Sequence, residues 1–296
     1  MAPRLARPLV FAALLVALLA ALCARAASAQ SPFRSTVTFG DSMTCNWPLS
    51  VLFHGPDNLW GADPAEAVFL KAAAAGDQIT DYSALAARAS EVRGEFYSYV
   101  DHCLTGQQTP GTFFFWQAGT NEFLNNQAAF RSQPPGQNAT TDRILDTYLR
   151  DAFDQIYLLV LCHPGARIAV WTIPDVTLLP IWWGQISLQD MANLRAHLQR
   201  ANDVLRALEW FPQVAVVDFD AVWRATIAAP PAVGGRALLG PPAWGQGTDL
   251  FAEPFHPTAV FNALIANGFI ATLNARFGLT IPSYTQAELL AMTYAP

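Results

Sequence analysis

The chain has 296 residues, of which 52% are hydrophobic and 14% charged, with a formal net charge of −6. That is ample for one large core. The acidic balance argues against a polyphosphate partner such as nucleic acid.

Arg4 and Arg7 precede an apolar run over residues 9–22, and small residues follow, ending in Ala27-Ser28-Ala29. This three-part plan predicts a cleavable signal peptide over residues 1–29 and a secreted or periplasmic mature chain. Its removal takes away Arg4, Arg7 and Arg25 and no acid, so the net charge falls by three, from −6 to −9. The run is short for a membrane span, and no later stretch resembles a membrane helix.

Five short apolar segments of the mature chain predict buried strands: residues 35–39, 68–74, 112–117, 167–173 and 213–219. Helical patterns lie between and after them, over residues 82–92, 141–161, 187–210 and 258–277. The second of these opens on Thr141 and Asp142, the third on Ser187, as N-caps should. Long loops are expected over 44–66, 134–140 and 229–254. Strands alternating with helices predict an α/β fold, a three-layer sandwich around a five-stranded, mostly parallel sheet. Residues 30–296 read as a single domain without internal repeats. Asn138-Ala139-Thr140 matches a glycosylation sequon, a motif short enough to arise by chance.

In an open parallel sheet, function gathers beyond the carboxyl ends of the strands. The first strand ends on Gly40-Asp41-Ser42, the second on Ala75-Gly76-Asp77, the third on Gly119-Thr120-Asn121-Glu122 and the fourth on Pro174-Asp175. Near the C-terminus lies Glu253-Pro254-Phe255-His256-Pro257-Thr258. Ester hydrolysis by a serine needs a hydroxyl, an imidazole to take its proton, and donors aimed at the developing oxyanion. Ser42 supplies the hydroxyl and His256 the base. Gly76 and Ser42 offer backbone N–H groups and Asn121 a side-chain amide, while Glu253 stands three residues before the histidine to orient it. Each residue is a weak signal alone, and their order along the chain makes them a strong one. His102 and His163 precede strands and His197 falls inside a helix, which leaves His54 as the competitor to His256. The α/β-hydrolase elbow requires a glycine two places after its serine; Thr44 stands there instead.

These blocks resemble those of the SGNH/GDSL hydrolase family, in particular its lecithinase-like and plant-lipase-like branch. "FGDSMT" is similar to the first block, with Met43 for the usual leucine. "AAAAGDQITDY" is similar to the second and puts its glycine at Gly76. "GTNE" resembles the third, with Glu122 for aspartate, and "AEPFHPT" the fifth, with Glu253 for aspartate. "IPDVTLLP" resembles a stretch typical of that branch. The resemblance runs from Thr36 to Thr258 and implies a flavodoxin-like three-layer fold and ester hydrolysis without metal or cofactor. Because glutamate is one methylene longer than aspartate, Asp249 or a backbone carbonyl stays open as the group that orients His256.

The expected reaction is carboxylic ester hydrolysis through an acyl-enzyme on Ser42. Trp47, Trp60, Trp182, Trp183 and Trp244, with Phe53, Phe251 and Phe255, enrich the loops beyond the strands, and favour lipid, aryl or polyester esters and a transient contact with a lipid surface. Some of these rings are expected to pack loops onto the sheet. Acyl transfer to an alcohol, a carbohydrate acetylesterase and a non-catalytic binding protein on the same fold remain alternatives. Cys45, Cys103 and Cys162 remain after leader removal, with no zinc-like spacing. In a flavodoxin-like strand order, Cys103 and Cys162 fall at the amino end of neighbouring strands, which predicts a Cys103–Cys162 disulfide and a free Cys45.

Overall fold

A computed structural model of the chain describes residues 31–44 and 61–293. Five strands form its central sheet: β1 (Ser35–Phe39), β2 (Gln78–Asp81), β3 (Phe113–Trp116), β4 (Arg167–Trp171) and β5 (Val214–Val217). Their order is β2-β1-β3-β4-β5, and every neighbouring pair is parallel. Residues of β1, β3 and β5 are buried throughout, as strands covered on both faces must be. Nine helices accompany the sheet among the described residues: α1 (Pro64–Ala72), α2 (Ala89–Leu104), α3 (Thr120–Asn125), α4 (Gln127–Ser132), α5 (Ala139–Cys162), α6 (Leu188–Arg206), α7 (Phe219–Ala228), α8 (Ala259–Phe277) and α9 (Gln286–Met292). A two-residue hairpin, β6 (Ala232–Val233) with β7 (Arg236–Ala237), breaks the long loop after α7.

Helix α1 packs on α8, which also contacts β5 and α7, while α2 packs on α5 and α5 on α6. The step from β1 to β2 runs one way along the sheet and the later steps run the other. Right-handed crossovers therefore put the two helix groups on opposite faces. The fold is the expected three-layer α/β sandwich with a flavodoxin-like strand order.

The second strand departs from expectation. Residues 68–74 belong mostly to α1, capped by Asp63, whose carboxylate accepts the N–H groups of Ala65 and Glu66, with Pro64 in the first turn. A short buried apolar run does not distinguish a helix from a strand. The strand itself is Gln78–Asp81, a polar, partly exposed edge with no hydrophobic signature. Residues 82–88, read as the start of a helix, form the loop that leaves this strand, and α2 begins only at Ala89.

The expected disulfide is absent: Cys103 and Cys162 are both free thiols. Both lie at helix ends on the amino side of the sheet, as the strand order requires. Their side chains take different surroundings, however. Cys103 packs half-buried against the core, while Cys162, the last residue of α5, is exposed. The Tyr99 hydroxyl of α2 meets His163 Nε2, just past α5, at 3.1 Å, and Tyr82, from the loop after β2, meets His102 Nδ1 near the end of α2 at 2.7 Å. The signal segment 1–29, Cys45, Trp47, Phe53, His54 and Trp60 lie outside the described residues.

Candidate active site

The turn that carries Ser42, the candidate nucleophile, begins where β1 runs out. Gly40 has φ +150°, and a Cβ there would lie 2.6 Å from the Gln117 carbonyl oxygen and 2.5 Å from Thr44 Oγ1. Only glycine lets β1 turn this close to the end of β3. Asp41 then closes the turn on itself. Its Oδ1 accepts the Met43 N–H at 2.9 Å, and its carbonyl accepts Thr44 N–H and Oγ1–H at 3.0 and 3.1 Å. Ser42 is left half-exposed at the tip.

His256 reaches it from the loop before α8. Phe251 and Pro257 bridge across the base of that loop, and the Ala252 N–H donates to the His256 carbonyl at 2.9 Å. His256 Nε2 lies 2.7 Å from Ser42 Oγ. On the ring's far side Nδ1 contacts Glu253 Oε1, which also accepts the His256 backbone N–H at 2.9 Å. Ser42, His256 and Glu253 thus form one hydrogen-bonded chain. The extra methylene of glutamate is absorbed because Glu253 folds back onto its own loop, capping a backbone N–H as it meets the ring. Asp249 takes no part in that chain: it is buried and accepts the Gln246 N–H at 3.0 Å.

Asn121 stands at the start of α3, and its Nδ2 donates to Asp41 Oδ2 and to the Ala87 carbonyl, each at 3.1 Å. It joins the turn after β1 to the loop after β2. Glu122 beside it is buried, and its Oε1 accepts the Ala89 N–H at 2.5 Å, at the first turn of α2. Glu95 reaches from α2 to accept the Gly40 N–H at 3.0 Å. Burial pushes all three nearby carboxyls up: Asp41 to about 6, Glu122 to about 7 and Glu95 to about 8.

Gly76 is not part of this assembly. It precedes β2, whose first residue Gln78 is level with Ser35 at the start of β1, so it lies at the amino end of the sheet, opposite Ser42. The misplaced second strand caused the misplaced donor. The carboxyl end of β2 opens instead into the loop 82–88, which is tied to the nucleophile turn by the Ala84 N–H on the Gly40 carbonyl at 3.0 Å. In that loop Ala86 has φ +59°, a left-handed conformation that alanine rarely adopts. The signal that marks this loop in the sequence is faint, because a four-residue polar edge strand precedes it.

After β4 a pair of 3₁₀ turns, Val176–Leu178 and Pro180–Trp182, carries Trp182 and Trp183. The Ile181 N–H donates to the Pro254 carbonyl at 3.4 Å, pinning this segment to the histidine loop. Trp182 and Phe255 are half-buried and packed on the core. Trp183 and Trp244 are 45% and 51% exposed, which makes them surface rings rather than core filler. Phe251 is fully buried and packs edge-to-face against Trp223 and Phe261, a packing role.

The sequence model of the GDSL-like lipase/acylhydrolase family matches residues 37–269. The chain belongs to that family. Among solved structures, this family member is similar to the lipase Lip_vut3 from a goat rumen metagenome, with 10% identity over 80% of this chain and 96% of that one and a TM-score of 0.54. It is also similar to an extracellular lipase from Streptomyces rimosus, with 16% identity over 82% and 99% and a TM-score of 0.47. A third is Axe2, an acetylxylan esterase from Geobacillus stearothermophilus, with 12% identity over 85% and 97% and a TM-score of 0.49. At 10% identity the likeness to Lip_vut3 shows the fold alone. No functionally curated protein matches the sequence. As a GDSL acylhydrolase, the chain is a hydrolase acting on esters.

Proposed function

We propose that this acylhydrolase is a secreted serine esterase or lipase that works through an acyl-enzyme on Ser42. The observation that carries the reading is the hydrogen-bonded chain Ser42–His256–Glu253 beyond the carboxyl end of the sheet. His256 Nε2 takes the Ser42 hydroxyl proton as Oγ attacks the ester carbonyl, and Glu253 steadies the imidazolium through Nδ1–H. The oxyanion is met by the Ser42 N–H and by Asn121 Nδ2, whose bond to the Ala87 carbonyl is the weaker of its two and gives way to the incoming charge. The Ala86 N–H, from the loop after β2, replaces Gly76 as the further backbone donor. His256 returns the proton to the leaving alcohol, and a water activated by the same ring releases the acid.

The substrate reading is a hydrophobic ester. Phe255 lies in the histidine loop, Ile181 is bonded to that loop with Trp182 next along the chain, and Trp183 and Trp244 lie exposed on loops, a surface suited to an apolar acyl group and to brief contact with a lipid surface. Residues 1–29, read as a signal peptide, support a location outside the cytoplasm. The test is turnover of a series of p-nitrophenyl esters, short to long, by the wild type and by Ser42→Ala. Ser42→Ala is expected to lose ~10⁴-fold or more in kcat while unfolding at the wild-type temperature. Near-normal turnover by that variant refutes the serine mechanism, and a preference for acetyl over longer esters refutes the hydrophobic acyl site.

A further inference from the structure

We propose that Gln117 is a positioning residue for this reaction, holding the nucleophile turn and Asn121 in register through Asp41. The inference rests on the proposed roles of Ser42 and Asn121.

Gln117 is the first residue beyond β3 and is 1% exposed. Burial alone is satisfied there by an apolar side chain, and a carboxamide requires partners. Gln117 has three. Its Oε1 accepts the Asp41 backbone N–H at 3.2 Å, and its Nε2 donates to Asp41 Oδ2 at 3.0 Å and to Thr120 Oγ1 at 3.2 Å. The opposite amide orientation sets donor against donor at the Asp41 N–H and acceptor against acceptor at the carboxylate, so the network fixes it. The amide grips Asp41 at two points, one on the backbone and one on the carboxylate. The missing side chain at Gly40 makes the room, since a Cβ there would sit 3.1 Å from Gln117 Oε1.

The two residues held are the ones that matter for register. Asp41 immediately precedes Ser42, and Thr120 immediately precedes Asn121. Gln117 and Asn121 also share one acceptor, Asp41 Oδ2. Moving the Gln117 amide therefore disturbs both the backbone before the nucleophile and the anchor of the oxyanion donor. Four titratable groups face Asp41: His256, Glu95, Glu122 and Tyr148. Burial pushes Asp41 up, and hydrogen bonds from Met43, Gln117 and Asn121, with the charge of His256, pull it back. A protonated Asp41 presents a donor where Asn121 and Gln117 both require an acceptor, so loss of Gln117 extends the inactive form to higher pH.

The experiment compares Gln117→Met, Asp41→Asn and the double variant in ester kinetics. It also measures the rate at which a fluorophosphonate labels Ser42. In that step the Ser42 Oγ–P bond forms, the P–F bond breaks, fluoride leaves, and the hydroxyl proton passes to His256. Methionine conserves the volume. Gln117→Met is expected to lower kcat and the labelling rate about 10- to 100-fold, with KM changed by less than about twofold, since only transition-state contacts are lost. The acid limb of kcat/KM moves to higher pH. The double variant is expected to lose less than the two single losses multiplied together, because part of each loss runs through the shared Asp41 carboxylate. Wild-type kcat in Gln117→Met, or a loss that adds fully to that of Asp41→Asn, overturns the proposal. Gln117→Glu serves if the methionine variant fails to fold: it exchanges the Nε2 donor for a second acceptor and must give the same loss and the same direction of pH shift, and a wild-type profile there overturns the proposal equally. A wild-type protein that is not labelled at Ser42 counts against the serine reading instead.

Discussion

Glu253→Gln tests the departure that made the catalytic acid ambiguous in sequence. Glu253 Oε1 contacts His256 Nδ1 and accepts the His256 backbone N–H at 2.9 Å. Glutamine retains one acceptor for that backbone group but removes the charge facing the imidazolium. Two unit charges about 4 Å apart interact by roughly 4 kcal/mol at an effective dielectric of about 20, near a protein surface. That corresponds to ~10³ in rate. The His256 and Glu253 side chains are 21% and 24% exposed, so solvent screens part of the interaction. The expected loss is thus ~10²–10³ in kcat, below the ~10⁴ of a fully buried serine-protease aspartate. Asp249→Asn is the matched control, because asparagine still accepts the Gln246 N–H and nothing at 249 meets the ring. Steady-state hydrolysis of a p-nitrophenyl ester, with thermal unfolding of each variant, measures both. An Asp249→Asn loss as large as that of Glu253→Gln, in a folded protein, refutes the assignment of the acid.

Three further outcomes follow from the geometry. Gly76→Ala is expected to leave kcat unchanged and to lower stability by about 1 kcal/mol, because Gly76 has φ +92° with open space around its missing Cβ; a large kcat loss at unaltered stability returns it to the oxyanion site. Thiol titration of unfolded, unreduced protein should find Cys103 and Cys162 both reactive, and a reductant should not shift the unfolding temperature; a linked Cys103–Cys162 peptide contradicts the structure. Finally, Asp41, Asp63, Glu95 and Glu122 are raised by burial to about 6, 8, 8 and 7 from ordinary values of 3.8, 3.8, 4.5 and 4.5. A raised carboxyl binds more protons folded than unfolded, so these groups favour folding fully below about pH 4 and lose that contribution as pH rises toward 8. Between about pH 6.5 and 8, above the range in which His163 and His197, lowered by burial, act the other way, the unfolding temperature should fall; Glu95→Gln should flatten the fall, and a rise over that range would contradict the burial of these groups.

Much of the fold was legible because its central strands are nearly continuous apolar runs, such as FFFW in β3 and VAVV in β5, bounded by turn residues. Helices α5, α6 and α8 were legible from their spacing to within a few residues, and α6 also from its Ser187 cap, whereas α5 is capped by Asn138 and not by Thr141. The edge strand was not. QITD is polar and needs only one partner, so its place was taken by a more hydrophobic segment that turned out to be a buried helix. That one exchange carried the oxyanion candidate to the wrong end of the sheet. Short α3, α4, α7 and α9 were missed because one to three turns give little periodicity to read. Ser42, His256 and Glu253 came together as the motif order suggested, whereas the bonds of Asp41 and Gln117 depend on two strands meeting and have no sequence signature. The free cysteines show the same limit: strand order fixes which ends are near, and side-chain direction decides what can bond.

The nucleophile turn is hemmed in by acids, and their unequal burial decides which of them is charged. Glu95 sits on the Gly40 N–H and Glu122 on the Ala89 N–H, and burial, the nearby Asp41 and, for Glu95, Asp81 raise them to about 8 and 7. Of the three, Glu95 is the most readily protonated and Asp41 the least. Asp41, at about 6, is the carboxyl that stays ionised, because it collects the Met43, Gln117 and Asn121 donors. Three negative charges at that place would oppose an oxyanion forming on the substrate. One charge, fixed behind Asn121 and acting on His256, favours the imidazolium that the same step creates. In the proposed mechanism the acids around this turn are thus arranged by burial so that the negative charge left standing lies where it anchors Asn121 and favours a protonated His256.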